Sequence, residues 1–222
     1  MQYEFLSKSS WLEDTPVSGM RYLPQFLDHH TARLLLQKLL AEVNWCQEQL
    51  FLYGKMRNTP RLTAWCGDPG VCYAYSGNQH VCDGWIPDLI PLRRRLRRLL
   101  GVRFNFALLN YYRDGSDSMA WHSDDEPSLG ELPCIASLSL GATRRFRVRD
   151  RRKSSTRGPA VKSRNSWGID LEQGSLLVMQ NDSQVHYQHA VPKCRTATGR
   201  RLNVTFRAIL PSEFHCGTSI RA

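Results

Sequence analysis

The chain lacks several features that would have classified it quickly. Its 7 cysteines include no Cys-x-x-Cys pair, and an odd, scattered set argues against a disulfide framework or a zinc knuckle and for a reducing compartment. No apolar run is long enough to cross a bilayer, and residues 1–14 lack a charged head followed by an apolar stretch. A soluble intracellular protein without membrane attachment is therefore expected, cytoplasmic if bacterial and nuclear if eukaryotic. There is no Pro/Gly/Ser-rich linker and no internal repeat, while 222 residues with 41% hydrophobic content suffice for one sizeable core. Acidic residues are the last shortage, 20 against 30 Lys and Arg, for a formal charge of +10. That balance suits a polyanion such as nucleic acid better than an acidic metabolite, and it gives affinity without sequence information.

What the chain does have is a set of polar residues in its C-terminal half: His122 and Asp124, then His189, then Arg201, Asn203, Thr205 and Arg207 at alternate positions. Two imidazoles and a carboxylate on one face of a metal leave coordination positions open, which is the arrangement of a non-heme Fe(II) oxygenase rather than a closed structural site. Side chains two apart on a strand share a face. His122 and Asp124 are thus expected to point the same way. Arg201 to Arg207 should turn their polar side chains to one face and Leu202, Val204 and Phe206 to the other. Two arginines on an enclosed face repel unless an anion lies between them, and a small dicarboxylic acid of the 2-oxoglutarate kind meets that need. Asn110 and Tyr112, again two apart, complete the expected pocket. Each piece alone has a plainer reading. His-x-Asp is common by chance, and the alternating strand equally suits the wet face of an exposed sheet. Their occurrence together and in order favours a site.

The coarse architecture is mainly β with flanking helices. Phe26 to Val43 carries Asp28 and Thr31 as start signals ahead of Leu34, Leu35, Leu36, Leu39 and Leu40, which predicts a buried helix. Arg93 to Leu100 reads as an amphipathic helix with Leu92, Leu96 and Leu99 on its core stripe and its arginines solvated. From Phe104 onward, short runs rich in Val, Leu, Ile and Phe recur between turns: Phe104 to Tyr112, Ile135 to Leu140, Phe146 to Arg149, Ser175 to Met179 and Arg201 to Ile209. A double-sheet structure is expected. The basic stretch from Arg144 towards Arg164 reads as a hairpin with a long tip, suited to phosphate contacts.

In these motifs the chain resembles the AlkB-type Fe(II)- and 2-oxoglutarate-dependent dioxygenases, which remove alkyl groups from nucleic-acid bases. The resemblance runs from Leu52 to Leu210, through Asn110 and Tyr112, His122-Ser123-Asp124-Asp125-Glu126, Ala136 to Gly141, Gly174 to Leu177, His189 with Pro192, and Arg201 to Arg207. The segment from Pro60-Arg61 to Gly77 looks closest to the members that repair duplex DNA.

The family fold implied is a double-stranded β-helix, or jelly roll, with N-terminal helices and a nucleotide-recognition lid. Residues 20–211 would form one dioxygenase domain, with the lid at 52–90 and the catalytic core at 104–211, an extension at 1–19 and a polar tail at 212–222. The resemblance implies that His122, Asp124 and His189 hold Fe(II), and that Arg201 and Tyr112 hold the distal carboxylate of 2-oxoglutarate. It places Arg207 and Asn110 near the chelating end and Asn203 and Thr205 in the same pocket. His186, three residues from His189, is the rival ligand, but only His189 precedes the matching Pro192.

On the substrate side the resemblance implies that Tyr75 stacks on a flipped base, that Tyr73 reaches a polar edge or phosphate, and that Asp125 meets the exocyclic amine. Strand packing is the alternative for both tyrosines. The turn at Leu52-Tyr53-Gly54-Lys55 corresponds to a wedge segment, with Tyr53 as the wedge; its alternative is a plain hairpin. The implied activity is oxidative demethylation of N1-methyladenine and N3-methylcytosine in alkylated DNA by a monomer using Fe(II), 2-oxoglutarate and O₂, and yielding succinate, CO₂, formaldehyde and the repaired base. Two alternatives remain: the same oxygenase chemistry on RNA, protein or a small molecule, and a non-catalytic basic nucleic-acid-binding module.

Overall fold

The computed structural model describes residues 13–52, 54–75, 78–151, 166–196 and 199–211. In chain order these form β1 (Glu13–Asp14), β2 (Met20–Leu23), α1 (His29–Glu42), β3 (Gln49–Leu52), β4 (Lys55–Asn58), β5 (Leu62–Gly67), β6 (Cys72–Tyr75), β7 (Asn78–Val81), α2 (Ile90–Leu100), β8 (Phe106–Tyr112), β9 (Met119–His122), β10 (Ile135–Gly141), β11 (Arg144–Asp150), β12 (Ser166–Leu171), β13 (Leu176–Met179), α3 (Ser183–His186), β14 (Tyr187–Val191) and β15 (Arg201–Arg207). A seven-stranded sheet in the order β1-β2-β13-β10-β15-β8-β5 faces a four-stranded sheet, β12-β11-β14-β9, and two hairpins, β3–β4 and β6–β7, stand beside them. The protein is mainly β, and the paired sheets are consistent with a jelly roll. Among the described residues no helix is long and apolar enough to cross a membrane.

Strand β15 shows why the layers separate as they do. Leu202, Val204 and Phe206 are fully buried in the core that α1 and α2 close over the outer face of the large sheet. Each buried side chain of that kind contributes roughly 2 kcal/mol. The alternate residues Arg201, Asn203, Thr205 and Arg207 turn to the inner face, towards the small sheet. A second apolar cluster, with Met20, Ile135 and Leu177 from the large sheet and Phe146, Val148 and Val191 from the small one, holds the two sheets together beside that polar interior.

The helices follow their sequence signals. Asp28 caps α1 by accepting the Thr31 backbone N–H at 2.9 Å, and Ala32, Leu35 and Leu39 are its buried stripe. Helix α2 buries Leu92 and Leu96 and ends at Gly101, whose φ of 72° takes the left-handed cap conformation. At Gly174 (φ 81°) the backbone comes against the start of α1 so closely that a Cβ would strike the Leu27 carbonyl.

Three boundaries differ from the sequence expectation. Strand β5 lies inside the stretch assigned to the lid, yet it pairs with β8 from Leu62↔Tyr111 to Gly67↔Phe106 as an edge strand of the large sheet. Its buried Thr63, Ala64 and Cys66 fit that position. Residues 13–19 were expected in an extension, but Glu13↔Tyr22 and Asp14↔Arg21 pair and Val17 is buried in the inter-sheet cluster. Only α1 lies N-terminal to the hairpins among the described residues, and the second helix, α2, falls between them and β8.

Candidate metal and co-substrate site

Strands β9 and β14 pair so that His122 lies directly opposite His189, with ring centroids 4.2 Å apart at an interplanar angle of 62°. Asp124 was expected on the same strand as His122. It is not, because β9 ends at His122. The chain turns off the sheet, and the buried Gln184 side chain holds it by accepting the Asp124 backbone N–H at 2.9 Å. The carboxylate still reaches the histidines: ligand atoms of His122, Asp124 and His189 all lie within 4.8 Å of one another. His186 is not among them. It sits on α3, half-exposed, with Nε2 at 3.2 Å from Asp182.

The electrostatics prepare these groups for a cation. The Asp124 carboxyl is buried, which by itself raises its pKa, but the Arg207 guanidinium and then the two imidazoles hold it at about 2. Burial, followed by the nearby His122, pushes His189 down to about 3. Burial also lowers His122, against the pull of Asp124. At neutral pH the cluster is therefore one carboxylate and two neutral imidazoles, the protonation states in which these groups donate to metal. His122 Nδ1 lies 2.9 Å from the Ala120 carbonyl, which fixes the proton there and leaves Nε2 as the donor atom. Arg207 Nη2 donates to Asp124 Oδ2 at 3.1 Å, whereas buried Oδ1 has no hydrogen-bond partner among the described residues. A cation there would satisfy it.

A cavity between the sheets is lined by all nine residues that the sequence reading assigned to metal and co-substrate: Asn110, Tyr112, His122, Asp124, His189, Arg201, Asn203, Thr205 and Arg207. Asn203 and Thr205 are tied into its wall, Asn203 Nδ2 donating to Ser137 Oγ at 2.8 Å and Oδ1 accepting from Thr205 Oγ1 at 2.9 Å. Arg201 is 1% exposed. Its Nη2 donates to Ser139 Oγ at 3.0 Å, and its guanidinium lies 5.0 Å from the centre of the Tyr112 ring. Its Nε and Nη1 have no hydrogen-bond partner among the described residues. Burying a guanidinium this way is costly unless an anion completes it. A carboxylate meets that need.

The groups expected on the substrate side are not all gathered here. Tyr53 and Gly77 lie outside the described residues, as does the Tyr75 side chain. Gly54 (φ 76°) turns the β3–β4 hairpin, and Lys55 is exposed beside it. Tyr73 corrects its expectation. It is fully buried, its ring 4.8 Å from Phe106 and 5.4 Å from the Arg207 guanidinium, so it closes the interior and does not face a phosphate. Burial, countered by Arg207 but reinforced by Asp124 and Glu126, raises its hydroxyl pKa. Asp125 is half-exposed and paired with Arg151 at 2.6 Å. The hairpin tip from Arg152 to Arg164 lies outside the described residues, while at its base Arg144 is not a phosphate contact. Arg144 is buried and donates to the Asp114, Asp117 and Pro192 carbonyls.

Sequence reasoning missed three residues. Arg61, 3% exposed, donates from Nε to Asn110 Oδ1 at 2.8 Å and adds positive charge near His122. Glu126 is largely enclosed, and burial next to Asp124 raises its pKa. Gln184 had no signal, because its role depends on where a tertiary turn lands.

Known proteins are similar to this chain over most of its length. Residues 19–207 match the 2OG-Fe(II) oxygenase superfamily. Over 205 residues the chain is 40% identical to Alpha-ketoglutarate-dependent dioxygenase alkB homolog 3 of Rattus norvegicus, covering 90% of this chain and 67% of that protein. For the Homo sapiens protein of that name the identity is 39%, covering 90% and 69%. DNA oxidative demethylase ALKBH2 of Bos taurus is 36% identical over 182 residues, covering 80% of this chain and 64% of that one. The solved structure of OsALKBH1 shares the fold, with a TM-score of 0.56 at 19% identity over 88% of this chain and 100% of that one.

Sequence match and donor set define an oxygenase that uses Fe(II), 2-oxoglutarate and O₂. Within that superfamily the chain belongs to the AlkB-type dioxygenases.

Proposed function

We propose that this dioxygenase demethylates alkylated nucleic-acid bases, with N1-methyladenine and N3-methylcytosine in DNA as its substrates. The observation that carries the reading is that the His/Asp/His cluster and the incompletely bonded Arg201 line the same cavity, in a chain whose relatives include proteins named DNA oxidative demethylase. Both lesions block pairing, which lowers the cost of flipping the base out. The charge of +10 favours a polyanionic substrate.

In this reading His122, Asp124 and His189 hold Fe(II). Arg201 and Tyr112 bind the distal carboxylate of 2-oxoglutarate, and Arg207 and Asn110 border its chelating end, with Asn203 and Thr205 fixing the wall between. The bound iron and 2-oxoglutarate supply activation of O₂ for attack on the N-methyl C–H bond. The net change converts N-methyl base, 2-oxoglutarate and O₂ into base, formaldehyde, succinate and CO₂. The chain's own work is to keep the donors unprotonated, orient the co-substrate and exclude water. Tyr75 stacks on the base and Asp125 accepts from its exocyclic amine once it exchanges Arg151 for substrate. Tyr73 forms the closed wall beneath, and Tyr53 with Gly54 and Lys55 meets the strand beside the gap.

Residues 13–211 act as one domain, with the two hairpins as the recognition lid and the protein working as a soluble, intracellular monomer. The test is formaldehyde release from oligonucleotides carrying either lesion as single-stranded DNA, duplex DNA or RNA. Release from duplex DNA that falls when Tyr53 is changed to Ala supports the wedge. Release from RNA alone moves the substrate.

A further inference from the structure

The loop after β9 is fastened to one short element. Ser123 Oγ donates to the Tyr187 carbonyl at 2.8 Å, the Asp124 N–H donates to Gln184 Oε1 at 2.9 Å, and Asp125 pairs with Arg151 at 2.6 Å. Arg151 in turn donates its backbone N–H to the His186 carbonyl at 2.6 Å and Nη1 to the Gln184 carbonyl at 3.4 Å. Three consecutive loop residues are thus tied, directly or through Arg151, to residues 184–187. Those residues run straight into β14, which carries His189. Of these ties only Gln184 lies wholly inside: it is 1% exposed, and its Nε2 is fixed by Ser183 Oγ at 3.3 Å and Met179 Sδ at 3.6 Å.

We propose that Gln184 is a positioning residue for the metal centre, holding the Asp124 backbone so that the carboxylate off the strand and the imidazole on β14 keep one spacing. This rests on Asp124 being a metal ligand, as in the proposed function. The chain needs such a device because Asp124 has left the sheet and, among the described residues, no ladder hydrogen bond fixes its φ and ψ. Arg207 holds only the carboxylate end. An amide side chain is suited to this role because its oxygen accepts from the loop while its nitrogen is anchored on the α3 side. Partners of this kind behind a metal ligand typically change metal affinity by about 10- to 100-fold when removed.

The test is Co(II) binding to the folded 222-residue chain with 2-oxoglutarate present, followed by absorbance, for wild type, Gln184→Met and Asp124→Ala. Gln184→Met keeps the volume and removes the acceptor, and is expected to weaken Co(II) binding by about tenfold or more. It should also perturb the ligand-field spectrum, which a loss of stability alone would leave unchanged in the folded fraction. Unchanged Co(II) affinity and spectrum in Gln184→Met, with binding lost in Asp124→Ala, overturns the inference and leaves the site reading intact. Unchanged binding in Asp124→Ala overturns both. Amide hydrogen exchange in the wild-type protein gives a check that needs no variant: the Asp124 N–H should be strongly protected, and exchange at the rate of an open loop contradicts the clamp.

Discussion

His122, Asp124 and His189 each supply one donor to a cluster whose atoms lie within 4.8 Å of one another, and two of the three are almost fully buried. Replacing any of them with alanine is expected to abolish 2-oxoglutarate turnover, measured as succinate. His186→Ala is expected to keep most of it, because that ring is half-exposed and pairs with Asp182 outside the cavity. Loss in His186→Ala with activity retained in His189→Ala would reverse the assignment. Arg207→Met removes a charged hydrogen bond to Asp124 and a cation from the pocket. It should raise the 2-oxoglutarate concentration needed for half-maximal turnover about tenfold or more, the scale of a charge-assisted bond of ~1.5–3 kcal/mol. Succinate formation at several 2-oxoglutarate concentrations measures this.

At this scale the site's donors were legible in the sequence because residue type survives folding unchanged, and in β15 so does alternation. Arg201 to Arg207 face the cavity as period-two spacing requires. Arg61, Glu126 and Gln184 were not legible. Their roles come from contacts across 49 residues for Arg61 to Asn110 and 60 for Gln184 to Asp124, and no local pattern encodes such pairings.

At the scale of elements, the strong hydrophobic runs carried their own boundaries. Ile135 to Leu140 appears as Ile135–Gly141, and the Asp28 cap starts α1 within the expected segment. What failed was the inference that His122 and Asp124 share a strand, since spacing by two is a strand signal only while the strand continues. Strand β5 failed for the opposite reason: in sequence it lies among hairpin segments, and its pairing with β8 runs from Leu62↔Tyr111 to Gly67↔Phe106, partners far away in the chain, a typical cost of non-local β contacts. Gly174 ties α1 to β13 at a left-handed φ with the Leu27 carbonyl against its Cα. Gly174→Ala is expected to destabilise the fold by at least about 1–3 kcal/mol, the usual cost of such backbone strain, measured by urea unfolding. A change near zero would mean that the turn relaxes and that the contact does not constrain the helix.

At the scale of the molecule, acid should act through the metal cluster. His189 titrates at about 3 in the fold against an ordinary 6.5. Between those values the unfolded chain binds the extra proton, so stability falls as pH drops from about 6.5 towards 3. Asp124, held at about 2 against an ordinary 3.8, adds a second loss as pH falls below 3.8. Urea midpoints of metal-free protein across this range should fall steeply for wild type and less steeply for His189→Phe, which removes the first titration. Equal slopes would contradict the buried neutral imidazole.

The most direct test of the whole account is the balance of products from an oligonucleotide carrying N1-methyladenine, incubated with and without Fe(II) and 2-oxoglutarate, for wild type and Asp124→Ala. Formaldehyde and succinate in equal amounts, dependent on both additions and absent from Asp124→Ala, are expected. Neither product from folded, iron-loaded wild-type protein would contradict the account, and succinate without formaldehyde would contradict its choice of substrate.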